Sequence, residues 1–140
     1  MQHLSVQPTL QDVARAGEAL RALLPPALQG PERDAVEIAV VEVLTNIVQH
    51  GFVRQAPAPI ELSCDCTGEW LAVEVRDAGE PIPAGRMDSA GPDTFDFDPD
   101  DIAALPENGM GLAILKSAFD RIAYTTGEGM NCLRLEKRIA

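Results

Sequence analysis

The chain has 140 residues, a length that one compact domain fills and that excludes a multi-domain machine. With 46% hydrophobic and 24% charged residues it carries enough apolar material to offset the entropy of folding, which excludes a disordered chain. Eleven Lys and Arg against 22 Asp and Glu give a formal charge of −11, a field that repels nucleic acid and anionic lipid, so direct contact with either is not expected.

Residues 3–7 alternate weakly and suit an edge strand, after which Thr9 caps a helix with Asp12 three residues on. Pro25 and Pro26 stop that helix. The strongest helical pattern covers residues 32–50, where Val36, Val40, Val43, Leu44 and Ile47 recur at three- and four-residue steps and Gly51 is placed to cap. Segments 60–66 and 70–76 alternate at period two around Thr67-Gly68-Glu69, the pattern of an antiparallel hairpin. A long interruption runs from Glu80 to about Pro106. Residues 112–119 then form a short helix opened by Gly109-Met110-Gly111, and 121–126 with 132–136 make a second hairpin around Gly127-Glu128-Gly129. Helices segregated from largely antiparallel strands predict an α+β two-layer sandwich, with a mixed, mainly antiparallel sheet covered by helices on one face, and argue against a doubly wound parallel sheet.

No stretch approaches the roughly 20 apolar residues that cross a bilayer, and the amino terminus lacks a basic segment followed by an apolar one. A soluble, cytoplasmic protein is expected. Three cysteines, an odd count, argue for reduced thiols. Cys64 and Cys66 share a strand face at a spacing that suits neither tetrahedral zinc nor a disulfide, and Cys132 stands alone.

Three stretches carry residues suited to chemistry. Glu42, Asn46 and His50 are spaced by four, advancing about 40° each, so they line one face of the long helix. That face can be the solvated side of an amphipathic helix. It can also hold a carboxylate that takes a proton one turn from an amide oxygen that ligates a hard cation. Asp77 ends a strand and Gly79 follows, either as a plain turn or as a nucleobase site in which the carboxylate accepts from an exocyclic amine and the glycine leaves room for a flat ring. Glycines 109 and 111 stand where a helix begins, and unpaired first-turn amides bind phosphate. This is neither the Walker loop nor the Rossmann fingerprint. In the loop before it, Asp96, Asp98, Asp100 and Glu107 fall at calcium-loop spacing, but Asp101 replaces the turn glycine and Pro99 and Pro106 interrupt, so an acidic lid is expected instead.

These stretches occur in one order: Glu-x-x-x-Asn-x-x-x-His-Gly at 42–51, Asp-x-Gly-x-Pro at 77–81, a variable loop, and Gly-Met-Gly-Leu at 109–112. The order closely resembles the Bergerat, or GHKL, ATP-binding fold, and the short chain looks like the anti-sigma-factor serine kinases of the RsbW and SpoIIAB type. The resemblance covers about residues 32–137, including the closing pattern of Gly129, Leu133, Leu135 and Lys137. It implies one GHKL-type ATP-binding domain over residues 1–140 with an ATP lid at about 80–108, and ATP and Mg²⁺ as cofactors. Glu42 is then implied as the general base, Asn46 as the Mg²⁺ ligand, Asp77 as the adenine acceptor and Gly79 as the space for the base. Gly109, Met110, Gly111 and Leu112 are implied as the phosphate-binding turn. The implied partners are a STAS-type anti-anti-sigma protein as substrate and a sigma factor or equivalent target, in a family that commonly dimerises. The alternative is a regulatory module that holds ATP without transferring phosphate, a reading that the intact Glu42 disfavours. Histidine-kinase cores and gyrase-like ATPases need a dimerisation helix or a transducer domain and are not expected. The family often has a threonine beside the adenine in the last strand, where Asn131 and Cys132 stand here.

Overall fold

The computed structural model describes residues 2–52, 56–79 and 114–139. In chain order it holds strand β1 (Gln2–Val6), helix α1 (Leu10–Leu23), helix α2 (Gly30–Asn46) running into a π-helical turn (Ile47–Gly51), and strands β2 (Ile60–Thr67), β3 (Trp70–Asp77), β4 (Arg121–Gly127) and β5 (Met130–Arg138). Residues 114–118 are helical and lead into β4. The strands form one sheet in the order β1-β2-β3-β5-β4, and all four of these pairings are antiparallel. This is the expected α+β arrangement, with no parallel pair among the described strands.

Local chemistry accounts for the helix ends. Thr9 Oγ1 accepts from the Asp12 amide at 3.1 Å, and Asp12 in turn accepts from the Gln7 amide at 2.6 Å, so two otherwise unpaired donors are satisfied. Arg15 holds the same carboxylate at 2.6 Å, and these contacts lower its pKa to about 2. At the other end Leu24 turns extended ahead of Pro25, as a residue before proline must. The α1–α2 connection is tied from within by Arg33, whose guanidinium donates to the carbonyls of Pro25, Leu28 and Leu24 at 3.1, 2.8 and 3.0 Å. The two helices meet where Gly17 leaves no side chain. A Cβ there would lie 2.7 Å from Val41 Cγ2.

Period-two alternation sorts the sheet into two faces. Val6, Ile60, Leu62, Leu71, Val73, Val75, Leu133, Leu135 and Ile122 are buried against Val13, Leu20, Val36, Val40 and Leu44 of the helices in one continuous core. The opposite face is polar: Glu74 takes Arg134 at 3.0 Å and Arg76 at 3.4 Å, and Arg121 lies over the Trp70 ring at 4.5 Å. Both hairpins close with two-residue turns. Gly68 takes φ +59° in the first; in the second both Glu128 (φ 53°) and Gly129 (φ 76°) are left-handed, the requirement of a type I′ turn. The three cysteines are free thiols, and burial pushes Cys64 up to about 11.

Candidate functional site

The predicted helix face is present but does not run to its expected end. Glu42 and Asn46 are half-buried in the last turns of α2, while His50 is exposed. The α-helical spacing stops at Asn46, and residues 47–51 wind as a π-turn, so His50 does not continue the stripe of Glu42 and Asn46 with the same advance. Gly51 does not act as a left-handed cap. The positive-φ glycines among the described residues are Gly30, Gly68 and Gly129, and Gly51 instead lies buried inside the π-turn.

Gly51 is where the two described motifs meet. A Cβ on Gly79 would stand 2.7 Å from the Gly51 carbonyl oxygen and 3.0 Å from its carbon, so the turn after β3 rests directly on the backbone at the end of α2. Absence of a side chain at Gly79 is therefore demanded first by this backbone contact. The expectation that it merely clears space for a ring needs that addition.

Asp77 is the next residue on the core face after Val75, and its register partner is Asn131, which follows Leu133 on the same face of β5. The pair ends the apolar row, with Asp77 6% and Asn131 4% exposed. Asn131 Nδ2 donates to Asp77 Oδ1 at 3.0 Å and to the Gly79 carbonyl at 2.8 Å, and the Gly79 amide donates to the same Oδ1 at 2.8 Å. Burial raises the Asp77 pKa, and the donors from Asn131 and Gly79 oppose that rise. A buried carboxylate with two donors on one oxygen is an acceptor held in a fixed direction. The sequence showed Asn131 only as the residue standing where a threonine is usual; its bond to a side chain 54 positions away depends on the β3–β5 register.

The structure thus brings Asp77, Gly79 and Asn131 together and sets them against the chain end of the helix that carries Glu42 and Asn46. Gly109, Met110, Gly111 and Leu112, like the expected lid at 80–108, lie outside the described residues. An open groove of about 610 Å³ lies elsewhere, between α1 and α2, lined by Glu18, Arg21, Ala22, Arg33 and Glu37. None of the expected site residues lines it, and Arg21 there is already paired with Asp34 and Glu37 at 2.6 and 3.1 Å. No described helix is long and apolar enough to cross a membrane.

Residues 6–137 match the histidine kinase-like ATPase domain. The chain belongs to that family. Among curated relatives it is similar to the serine-protein kinase RsbW of Bacillus mycoides (strain KBAB4), 30% identical over 103 residues that cover 73% of this chain and 62% of that protein. The RsbW of Bacillus cereus (strain AH187) is 31% identical over 99 residues, 70% of this chain and 59% of that one. The chain spans about three-fifths of the length of these relatives. In fold it is similar to the histidine kinase domain of the Erythrobacter litoralis EL346 blue-light activated histidine kinase, with a TM-score of 0.57 at 18% identity over 93% of this chain and 60% of that one. Acinetobacter baumannii histidine kinase AdeS gives a TM-score of 0.52 at 15% identity over 99% of this chain and 68% of that chain.

In a histidine kinase-like ATPase domain the nucleotide is ATP. Asp77 offers a buried, oriented acceptor of the kind an exocyclic amine requires, and Gly79 presents bare backbone beside it.

Proposed function

We propose that this chain is a cytoplasmic, magnesium-dependent ATP-binding serine/threonine-protein kinase and anti-sigma factor of a bacterial partner-switching system. Its substrate is a STAS-type anti-anti-sigma protein, and its other partner is a sigma factor or equivalent target. The single observation that supports the site is the backbone contact of Gly51 with Gly79, since it joins the helix of Glu42 and Asn46 to the strand end of Asp77. The similarity to RsbW kinases supports the choice of hydroxyl acceptor and of protein partners.

Each residue then has a task. Asp77 accepts a hydrogen bond from the adenine amine, and Gly79 keeps the approach open. Asn46 offers an amide oxygen to Mg²⁺, a cation that takes few protein ligands and is otherwise held by phosphate and water, so no acidic cluster is needed. Gly109, Met110, Gly111 and Leu112 supply backbone amides to the phosphates, which a chain of charge −11 otherwise repels. Bound Mg-ATP supplies an electrophilic γ-phosphoryl group with ADP as leaving group. Glu42 orients the incoming serine hydroxyl and takes its proton as the new oxygen–phosphorus bond forms.

The test is incubation of the chain with radiolabelled ATP and a STAS-domain protein encoded beside it. Transfer is expected, falling about 10²-fold or more in Glu42→Ala with Mg-ATP affinity largely kept, whereas Asn46→Ala weakens Mg-dependent binding itself. Undiminished transfer by Glu42→Ala removes the base assignment. Nucleotide binding without transfer by the unaltered chain replaces the kinase with a regulatory ATP-holding module.

A further inference from the structure

We propose that Asn131 is a positioning residue for nucleobase selection, fixing which oxygen of Asp77 faces the base; this rests on the reading of the site as an ATP pocket. A carboxylate oxygen has two lone pairs. Oδ1 of Asp77 receives two donors, the Asn131 amide at 3.0 Å and the Gly79 backbone N–H at 2.8 Å, so its capacity is filled from inside the protein. Oδ2 takes part in neither contact. A further donor, such as an exocyclic amine, is directed to Oδ2.

The asparagine is suited to this in a way that a threonine is not. Its two Nδ2 hydrogens serve two acceptors at once, Asp77 Oδ1 and the Gly79 carbonyl at 2.8 Å, and so tie the carboxylate and the turn that follows it into one unit. A hydroxyl has one hydrogen and can serve only one of them. The amide orientation is dictated by its neighbours, since turning it over would set its oxygen against two acceptors. At 4% exposure Asn131 is buried beside Asp77 on the neighbouring strand, and its action on the base runs through that residue.

The experiment titrates the full chain with Mg-ATP and with the Mg complex of purine riboside triphosphate, which lacks the 6-amino group, using calorimetry and a thermal melt of each variant. Unaltered protein prefers ATP. In Asn131→Ala, ATP affinity is expected to fall about tenfold, the scale of one lost hydrogen bond to a charged group, while affinity for the analogue changes less than about threefold. Asn131→Thr, which keeps one donor, falls between and carries the test should the alanine variant fail to fold. Equal weakening toward both nucleotides, or no weakening toward either, overturns the role of Asn131 and leaves the ATP pocket standing. Failure of the unaltered chain to bind either nucleotide overturns the pocket itself, and this role with it.

Discussion

Gly79 and Gly51 touch through bare backbone: a Cβ on Gly79 would reach within 2.7 Å of the Gly51 carbonyl oxygen. Backbone cannot swing aside as a flexible side chain can, so Gly79→Ala must part the end of α2 from the turn after β3. A loss of about 1–3 kcal/mol is expected, the cost of overpacking, together with loss of ATP binding. Gly51→Ala is the milder change, because the nearest atoms its Cβ meets are Ile47 Cγ2 at 3.4 Å, Gly79 Cα at 3.9 Å and Ile47 Cβ at 4.0 Å. Urea unfolding of the two variants checks the asymmetry, and equal losses would contradict it.

Asp77→Asn should separate stability from function. Burial raises the pKa of Asp77, so its contribution to folding is fully present below the ordinary carboxylate value of 3.8 and is lost as pH rises through the native value. At neutral pH the charged form is thus a burden on the fold. The variant is expected to melt higher than the unaltered chain at pH 7, with that advantage vanishing below about pH 4. Its carbonyl can replace Oδ1 under Asn131 and Gly79, which turns an amide donor toward the purine amine. ATP affinity should therefore fall about tenfold or more even as the melting temperature rises. A variant that melts lower at pH 7 would show that the donors outweigh burial.

Between the helices, Gly17→Ala sets two effects against each other. Alanine favours the helix by about 1 kcal/mol over glycine. Its Cβ would stand 2.7 Å from Val41 Cγ2, and a β-branched side chain has little freedom to yield, so about 1–3 kcal/mol of overpacking should win. In a Val41→Ala background the same substitution is expected to become neutral or stabilising. Chemical denaturation of the four proteins in that cycle supplies the coupling, and simple additivity would show that the helices part without cost.

Arg33 carries the connection between α1 and α2. Its three bonds to the carbonyls of Leu24, Pro25 and Leu28 tie the cap of α1 and the loop after it to the first turn of α2. Arg33→Ala is expected to cost about 1.5–3 kcal/mol, the range for hydrogen bonds to a charged group. Lysine should recover only part of that loss because an ammonium cannot span the fork. An alanine variant within about 0.5 kcal/mol of the unaltered chain, the range of ordinary surface changes, would show the bonds to be incidental.

The sequence expresses best what adjacent residues decide. Thr9 and Asp12 mark the start of α1, Gly68 and Gly129 mark the two hairpins, and alternation marks their strands, because each is a short-range rule of hydrogen bonding or backbone sterics. The chain order of the Glu42, Asp77 and Gly109 motifs carried the family. What could not be read is what distant residues decide. Ile47 to Gly51 looks like one more turn of α-helix, whereas it winds as a π-turn and buries Gly51 against the distant Gly79. The clamp of Asn131 on Asp77 depends on a pairing between strands far apart in the chain, and Arg33 shows its targets only once the loop is folded beside it.

The pairing of β3 with β5 has one more consequence. Asp77 and Asn131 share the side of the sheet that Val75 and Leu133 fill, while Arg76 and Cys132, one position along each strand, look the other way. A slip of a single residue would set a cation and a thiol where Asp77 and Asn131 stand and turn hydrophobic side chains to water. Apolar burial therefore proofreads this strand end: a misaligned chain is too unstable to persist, and molecules that survive folding carry the Asp77 acceptor facing inward.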